Sequence, residues 1–342
     1  MSRTAPAAAV LLLALAAWLA TGVGPGDAGL FLAYETVFVL VPGAALYVAL
    51  RDSPAGWLAL AAMGYALGTV LEILAFALTA ALHARWALWA YPPLVVLGAA
   101  GLRVGHGHPP REPGPGGGAY QTRTAWALAA TCGGAIAYMA LSYFLFEPLP
   151  VQAGSVVYIP DLVFHLGVAA EALHHWPITD PKVAGQPLPY ENFIYMKLAA
   201  TSQITHIPLP TVLFRLYVLP LLAAIVALFA CAGESLTSRR SVGILAAVLF
   251  LLVGQLGLDP RDPLVFANTV FFSLYDSPSF ILGMLLFLAT LIAIWEQLRS
   301  PRAGRRGWIL VTLLLVGCAG SKAAILPVLL GGLALYAAWR RG

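Results

Sequence analysis

Stretches of Leu, Ala, Val and Gly long enough to cross a bilayer recur along the whole chain, and they leave few ways to fold. A hydrocarbon core of about 30 Å takes roughly 20 apolar residues of helix, and a helix satisfies its own backbone hydrogen bonds there. Such runs are read at 6–23, 28–50, 56–82, 86–103, 124–146, 209–232, 241–257, 278–297, 308–322 and 325–339. Composition agrees: 60% of the 342 residues are hydrophobic and 10% are charged. A soluble domain carries about a quarter charged residues. The expected fold is all-α, a polytopic transmembrane helical bundle of about ten spans. Arg3 ahead of the first run also fits a signal peptide, but no clean small-x-small site closes that run, and a retained anchor is preferred.

Charge sets the expected orientation. With the N-terminus in the cytoplasm, Arg3, Arg51, Arg103, Arg111, Arg123, Arg239, Arg240, Arg299, Arg302, Arg305, Arg306, Arg340 and Arg341 all lie inside. Arg85, Lys182, Lys197, Arg215, Arg261 and Lys322 fall outside or near the outer face. Thirteen of the 19 basic residues inside is the asymmetry that short cytoplasmic loops impose. The net charge of +4 therefore has a topological explanation and does not point to nucleic acid. Residues 1–104 form an N-terminal four-span group, and 105–123, rich in Gly and Pro with His106 and His108, reads as a cytoplasmic linker. Residues 124–342 form the remaining membrane core, with a long outer loop at 147–208 and a second at 258–277. Cys132, Cys231 and Cys318 are widely spaced within apolar runs and show no metal-ligand pattern.

The long outer loop holds the chemistry. Pro160–Asp161 reads as a helix start and Pro177 as a stop. At helical periodicity Asp161, His165, Val168, Ala172 and His175 fall within about 80° of one another, with Glu171 just beyond. Leu162, Val163, Leu166, Ala170 and Leu173 take the other side, so the helix is expected to lie on the bilayer surface with its polar stripe toward water or a cavity. The bland alternative is a cap at Asp161, a local Glu171–His175 pair, and an interfacial belt at His174, His175 and Trp176. A Pro/Gly-rich connector over 179–198 follows, with Tyr190, Phe193 and Tyr195 suited to a membrane surface or a sugar ring. A second short interfacial helix is expected at about 191–204.

Other polar residues stand out against the apolar background. Arg215, a few residues into an apolar run, either snorkels outward or holds an anion. Asp259, Arg261 and Asp262 suit mutual salt bridges, Asp276 a helix cap or a site residue, and Lys322 snorkelling or phosphate binding. Glu35 and Glu72 lie inside spans, where acids are functional candidates with interhelical hydrogen bonding as the rival role. No phosphate-binding glycine loop, nucleophile elbow or zinc-protease helix is present.

The run PDLVFHL…HHWPITDPKVAGQPLPYENF (160–193), in a long outer loop, resembles the GT-C superfamily of membrane glycosyltransferases. The resemblance covers about 124–342 and is sharpest over 156–215. It implies transfer of a sugar from a polyprenyl-phosphate donor to a glycan, lipid or protein acceptor on the outer face of a cell membrane. Asp161 then matches the loop aspartate that acts as base or metal ligand, and His165 shares its cavity; a divalent cation, if used, falls to this pair. Substrate contacts are assigned to Glu171, His175, Lys182, Tyr190, Glu191, Arg215, Asp276 and Lys322, with Arg215 and Lys322 on the lipid phosphate. The chain departs from the family where the acidic loop follows the fifth span instead of the first, without paired acids at its start. An added N-terminal group, or an incomplete or inactive relative, accounts for that. The rival readings are a transporter or lipid-linked-glycan flippase using Glu35, Glu72 and Arg215, and a non-catalytic glycan-binding scaffold.

Overall fold

The computed structural model describes residues 4–51, 55–104, 122–150, 159–183, 185–253, 255–256, 266–267, 269–299 and 304–341. Among the described residues the chain is helical apart from the two-residue pair Gln255–Leu256 with Phe266–Ala267 and a single bridge between Thr179 and Pro187. Five helices are long and apolar enough to cross a membrane: Pro25–Leu50, Trp57–Ala81, Thr122–Phe144, Leu209–Thr237 and Pro278–Arg299. The other expected spans are the shorter helices Ala5–Ala20, Tyr91–Val104, Arg240–Leu252, Arg305–Ser321 and Ile325–Arg341. At 1.5 Å per residue these reach only about 20–26 Å. The run at 86–103 is shortened because Arg85–Ala90 winds as a 3₁₀ turn. The linker expected at 105–123 and the residues Asp259, Arg261 and Asp262 lie largely or wholly outside the described residues.

Proline shapes three of the long helices. Each carries a π-helical segment, Glu35–Leu40, Ala140–Phe144 and Val212–Leu216, and Pro42, Pro148 and Pro220 follow within four residues. A proline offers no N–H to the carbonyl four residues back and crowds it, so the preceding turn widens. The carbonyls released this way matter below.

The helices share one apolar core. Ala5–Ala20 packs along Thr122–Phe144, and Trp57–Ala81 packs on Phe193–Thr205 and Leu209–Thr237. The closest approach is between Pro25–Leu50 and Trp57–Ala81. A Cβ on Gly43 would lie 1.9 Å from the Gly64 carbonyl oxygen, and one on Gly68 would lie 1.9 Å from that of Val39. Gly64 and Gly68 are spaced four apart on one face, which lets the two backbones touch.

The two ends of the bundle differ in charge. One end gathers Arg51–Glu296, Arg240–Glu234 and Arg299 on the Ser235 carbonyl. The other end collects the beginning of Pro278–Arg299, the junction between the last two helices, and the helix Pro160–His174.

Candidate functional site

Pro160 and Asp161 occupy the first turn of Pro160–His174, where a fixed φ and a carboxylate suit the helix N-terminus. The stripe expected along this helix divides. Asp161 and His175 are exposed, while His165, Val168 and Ala172 turn into the protein together with Leu162 and Ala169. Their inward partner is Phe193–Thr205. That second helix was expected at the interface; it is instead enclosed, with every residue from Ile194 to Ser202 buried. Small residues at Ala199, Ala200, Thr201 and Ser202 allow neighbours on several sides. Lys197, expected near the outer face, is buried with it at 1% exposure.

Burial brings His165 against Tyr195, with the hydroxyl 2.6 Å from Nδ1 and the rings stacked at 5.7 Å. A second hydrogen bond links the imidazole to the Asp276 backbone, which Nε2 is left to make. Tyr190 stacks on Tyr195 at 6.1 Å and stands edge-on to Phe164 at 5.6 Å. The imidazole is thus held from three sides. Loss of solvation pulls its pKa down to about 4, against the upward effect of the Asp161 carboxylate, so the ring is neutral at physiological pH.

Three further segments complete the cluster. Asp276 ends the helix Thr269–Asp276 as a buried carboxylate whose Oδ1 meets no hydrogen-bond partner. Burial first, and then the Asp161 charge, lift its pKa to about 6. Ser279, in the first turn of Pro278–Arg299, accepts from Lys322 Nζ at 3.2 Å. Lys322 lies 3.8 Å from Glu191 Oε1, and the same oxygen accepts from the Ala323 amide at 3.2 Å. Glu191 therefore ties the connector to the junction between the last two helices. A further close fit is at Gly320, where a Cβ would fall 2.4 Å from the Phe193 ring at the start of the buried helix.

Six sequence-derived candidates come together here: Asp161, His165, Tyr190, Glu191, Asp276 and Lys322. Four do not join them. Glu171 and His175 pair at 2.8 Å at the far end of the helix, and Glu171 also accepts from Thr179 at 2.7 Å. Those hydrogen bonds, Thr179 foremost, hold Glu171 below the usual carboxylate range. Lys182 is exposed, its ammonium 4.7 Å from the centre of the Phe164 ring. Arg215 is buried, and its guanidinium donates to the carbonyls of Thr21, Phe144, Glu147 and Phe214. Phe144 ends its helix and Pro148 brings no N–H to its carbonyl, so Arg215 meets an acceptor that the backbone leaves open. That geometry commits Arg215 to joining chain segments and leaves Lys322 as the cation of the site.

Tyr195 and Ser279 gain importance only in three dimensions. Tyr195 was visible as one aromatic among several, and Ser279 as a residue of a helix start. Among the described residues no group of three or more His, Cys, Asp or Glu side chains is placed to hold a metal ion. With His165 engaged by Tyr195 and Asp276, the Asp161–His165 pair does not form a cation cage. No protein-family model, curated protein or solved structure matches the chain.

Proposed function

We propose that the chain is a membrane glycosyltransferase that moves a sugar from a polyprenyl-phosphate donor to an acceptor hydroxyl. On this reading all ten apolar helices sit in the membrane, the N-terminus is cytoplasmic, and the cluster faces outward, where the arginine-poor end lies. What supports it is one observation. Two carboxylates, a neutral imidazole and a lysine converge at one end of the bundle from three separate segments.

Each group has a task that its setting suits. The acceptor hydroxyl attacks the anomeric carbon while its proton passes to Asp276, a buried carboxylate with an open oxygen and a pKa raised toward neutrality. The bond from the anomeric carbon to the phosphate oxygen breaks, and the electron pair leaves with the lipid phosphate. Lys322 and the N-terminus of Pro278–Arg299, beside Ser279, stabilise that charge. Asp161, exposed at its own helix start, orients the acceptor, and neutral His165 fixes Tyr195 and the Asp276 backbone. A transport pathway through Glu35, Glu72 and Arg215 is less well served, because all three are buried and held by protein partners.

The test is sugar transfer by the full chain in proteoliposomes supplied with labelled polyprenyl-phosphate sugars. Asp276→Asn and Asp161→Asn should each lower turnover, the first by roughly 100-fold or more, with helix content unchanged and the melting temperature not lowered. Turnover equal to wild type in both variants would leave an enzyme with a different centre. No transfer by the wild type across a panel of donors sinks the reading.

A further inference from the structure

A second polar cluster lies in the apolar core, away from the site just described. Lys197 Nζ donates to Glu35 Oε1 at 2.8 Å and to Glu72 Oε2 at 3.0 Å. The Tyr34 hydroxyl donates to Glu72 Oε1. The Lys197 and Glu72 side chains are 1% and 0% exposed, and Glu35 is buried beside them. Three helices contribute: Pro25–Leu50, Trp57–Ala81 and Phe193–Thr205. The charged and titratable groups facing one another are Glu35, Glu72, Lys197, Tyr34, Tyr65 and Tyr91.

The charges do not balance. Two carboxylates against one ammonium leave one negative charge in surroundings where an uncompensated ion costs several kcal/mol. Glu35 Oε2 and the Tyr65 hydroxyl are both buried and face each other, with no other hydrogen-bond partner.

We infer that the Glu35–Lys197–Glu72 cluster is a proton-binding site, in which the two carboxylates share one proton. The bound proton makes the cluster neutral. Nothing in this depends on sugar transfer, so it stands or falls separately from the proposed function.

Infrared spectroscopy of the full chain in lipid nanodiscs reads the proton directly, as the carbonyl stretch of a protonated carboxyl group. It is best done at pH 8 in an Asp276→Asn background, which removes the buried acid of the other cluster. The expected result is one such band that disappears in Glu35→Gln and in Glu72→Gln, since each leaves a neutral carboxylate–ammonium pair. Should either variant fail to fold, Tyr65→Phe and Tyr34→Phe keep all three charges and should shift the band without removing it. No band in the starting protein overturns the assignment, as does a band that survives both glutamine variants or ignores both phenylalanine variants. A band that sodium or potassium removes at constant pH gives the site to an alkali cation and overturns it too.

Discussion

Arg215 shows how one side chain can stand in for a stretch of secondary structure. Its guanidinium donates to carbonyls of two separate segments as well as its own turn, and the Trp18 indole donates to its backbone carbonyl. Replacing it with methionine keeps bulk but strands several buried acceptors, each worth about 1–3 kcal/mol. Arg215→Met should therefore lower the melting temperature sharply in detergent, while the exposed Lys182→Met should leave it unchanged. At the site, the two shifted groups act on stability in opposite directions. His165, held down at about 4 from an ordinary 6.5, loses stability as the pH falls through that interval, because the unfolded chain binds the proton more readily. Asp276, lifted to about 6 from an ordinary 3.8, loses stability as the pH rises through its interval. Activity separates them. The proposed base must be ionised, so kcat/KM should climb to a plateau above about pH 6, with the climb absent in residual Asp276→Asn activity. The sequence exposed Asp161, His165, Asp276 and Lys322 because polar residues are rare in it. It hid the true setting of Lys197 and Arg215, since nothing local distinguishes a snorkelling cation from one met by partners 68 to 194 residues away.

At the level of elements, glycine decides where the acids meet. Gly68 lies one turn before Glu72, and Val39, whose carbonyl Gly68 touches, lies one turn after Glu35. Closing the backbones at that point sets the two carboxylates within reach of one ammonium. Gly68→Ala must push the helices apart, because the obstacle is backbone, and should destabilise by about 1–3 kcal/mol. Gly98→Ala, with nothing within 4 Å of the added carbon, is the control and should be neutral or slightly favourable. Thermal unfolding of both checks this. Helix positions followed well from the apolar runs, since each of the ten is a helix in the structure. Their lengths did not, because 3₁₀ and π segments depend on proline spacing and packing more than on hydropathy. The enclosure of Phe193–Thr205 was hidden for a related reason: a helix of mixed small, polar and apolar residues looks interfacial until its neighbours are known.

For the molecule as a whole, the arginine-rich end and the carboxylate–imidazole end predict opposite sides of a membrane. All three native cysteines are buried, so introduced ones report cleanly. A membrane-impermeant maleimide should label Lys182→Cys in intact cells, and Arg239→Cys only after permeabilisation. The reverse pattern would turn the proposed active face inward. The first helices and the later ones share a core, and Arg85 donates to the carbonyls of Ala172 and His175, holding the last turn of Pro160–His174 in place. The buried triad adds a constraint in time. Lys197 is synthesised 162 residues after Glu35 and 125 after Glu72. Until it emerges, both acids have no cation to meet, and a bare carboxylate in hydrocarbon is costly. The proton-sharing cluster proposed above therefore predicts that the nascent chain enters the bilayer with both acids protonated, and that one proton departs when the lysine docks.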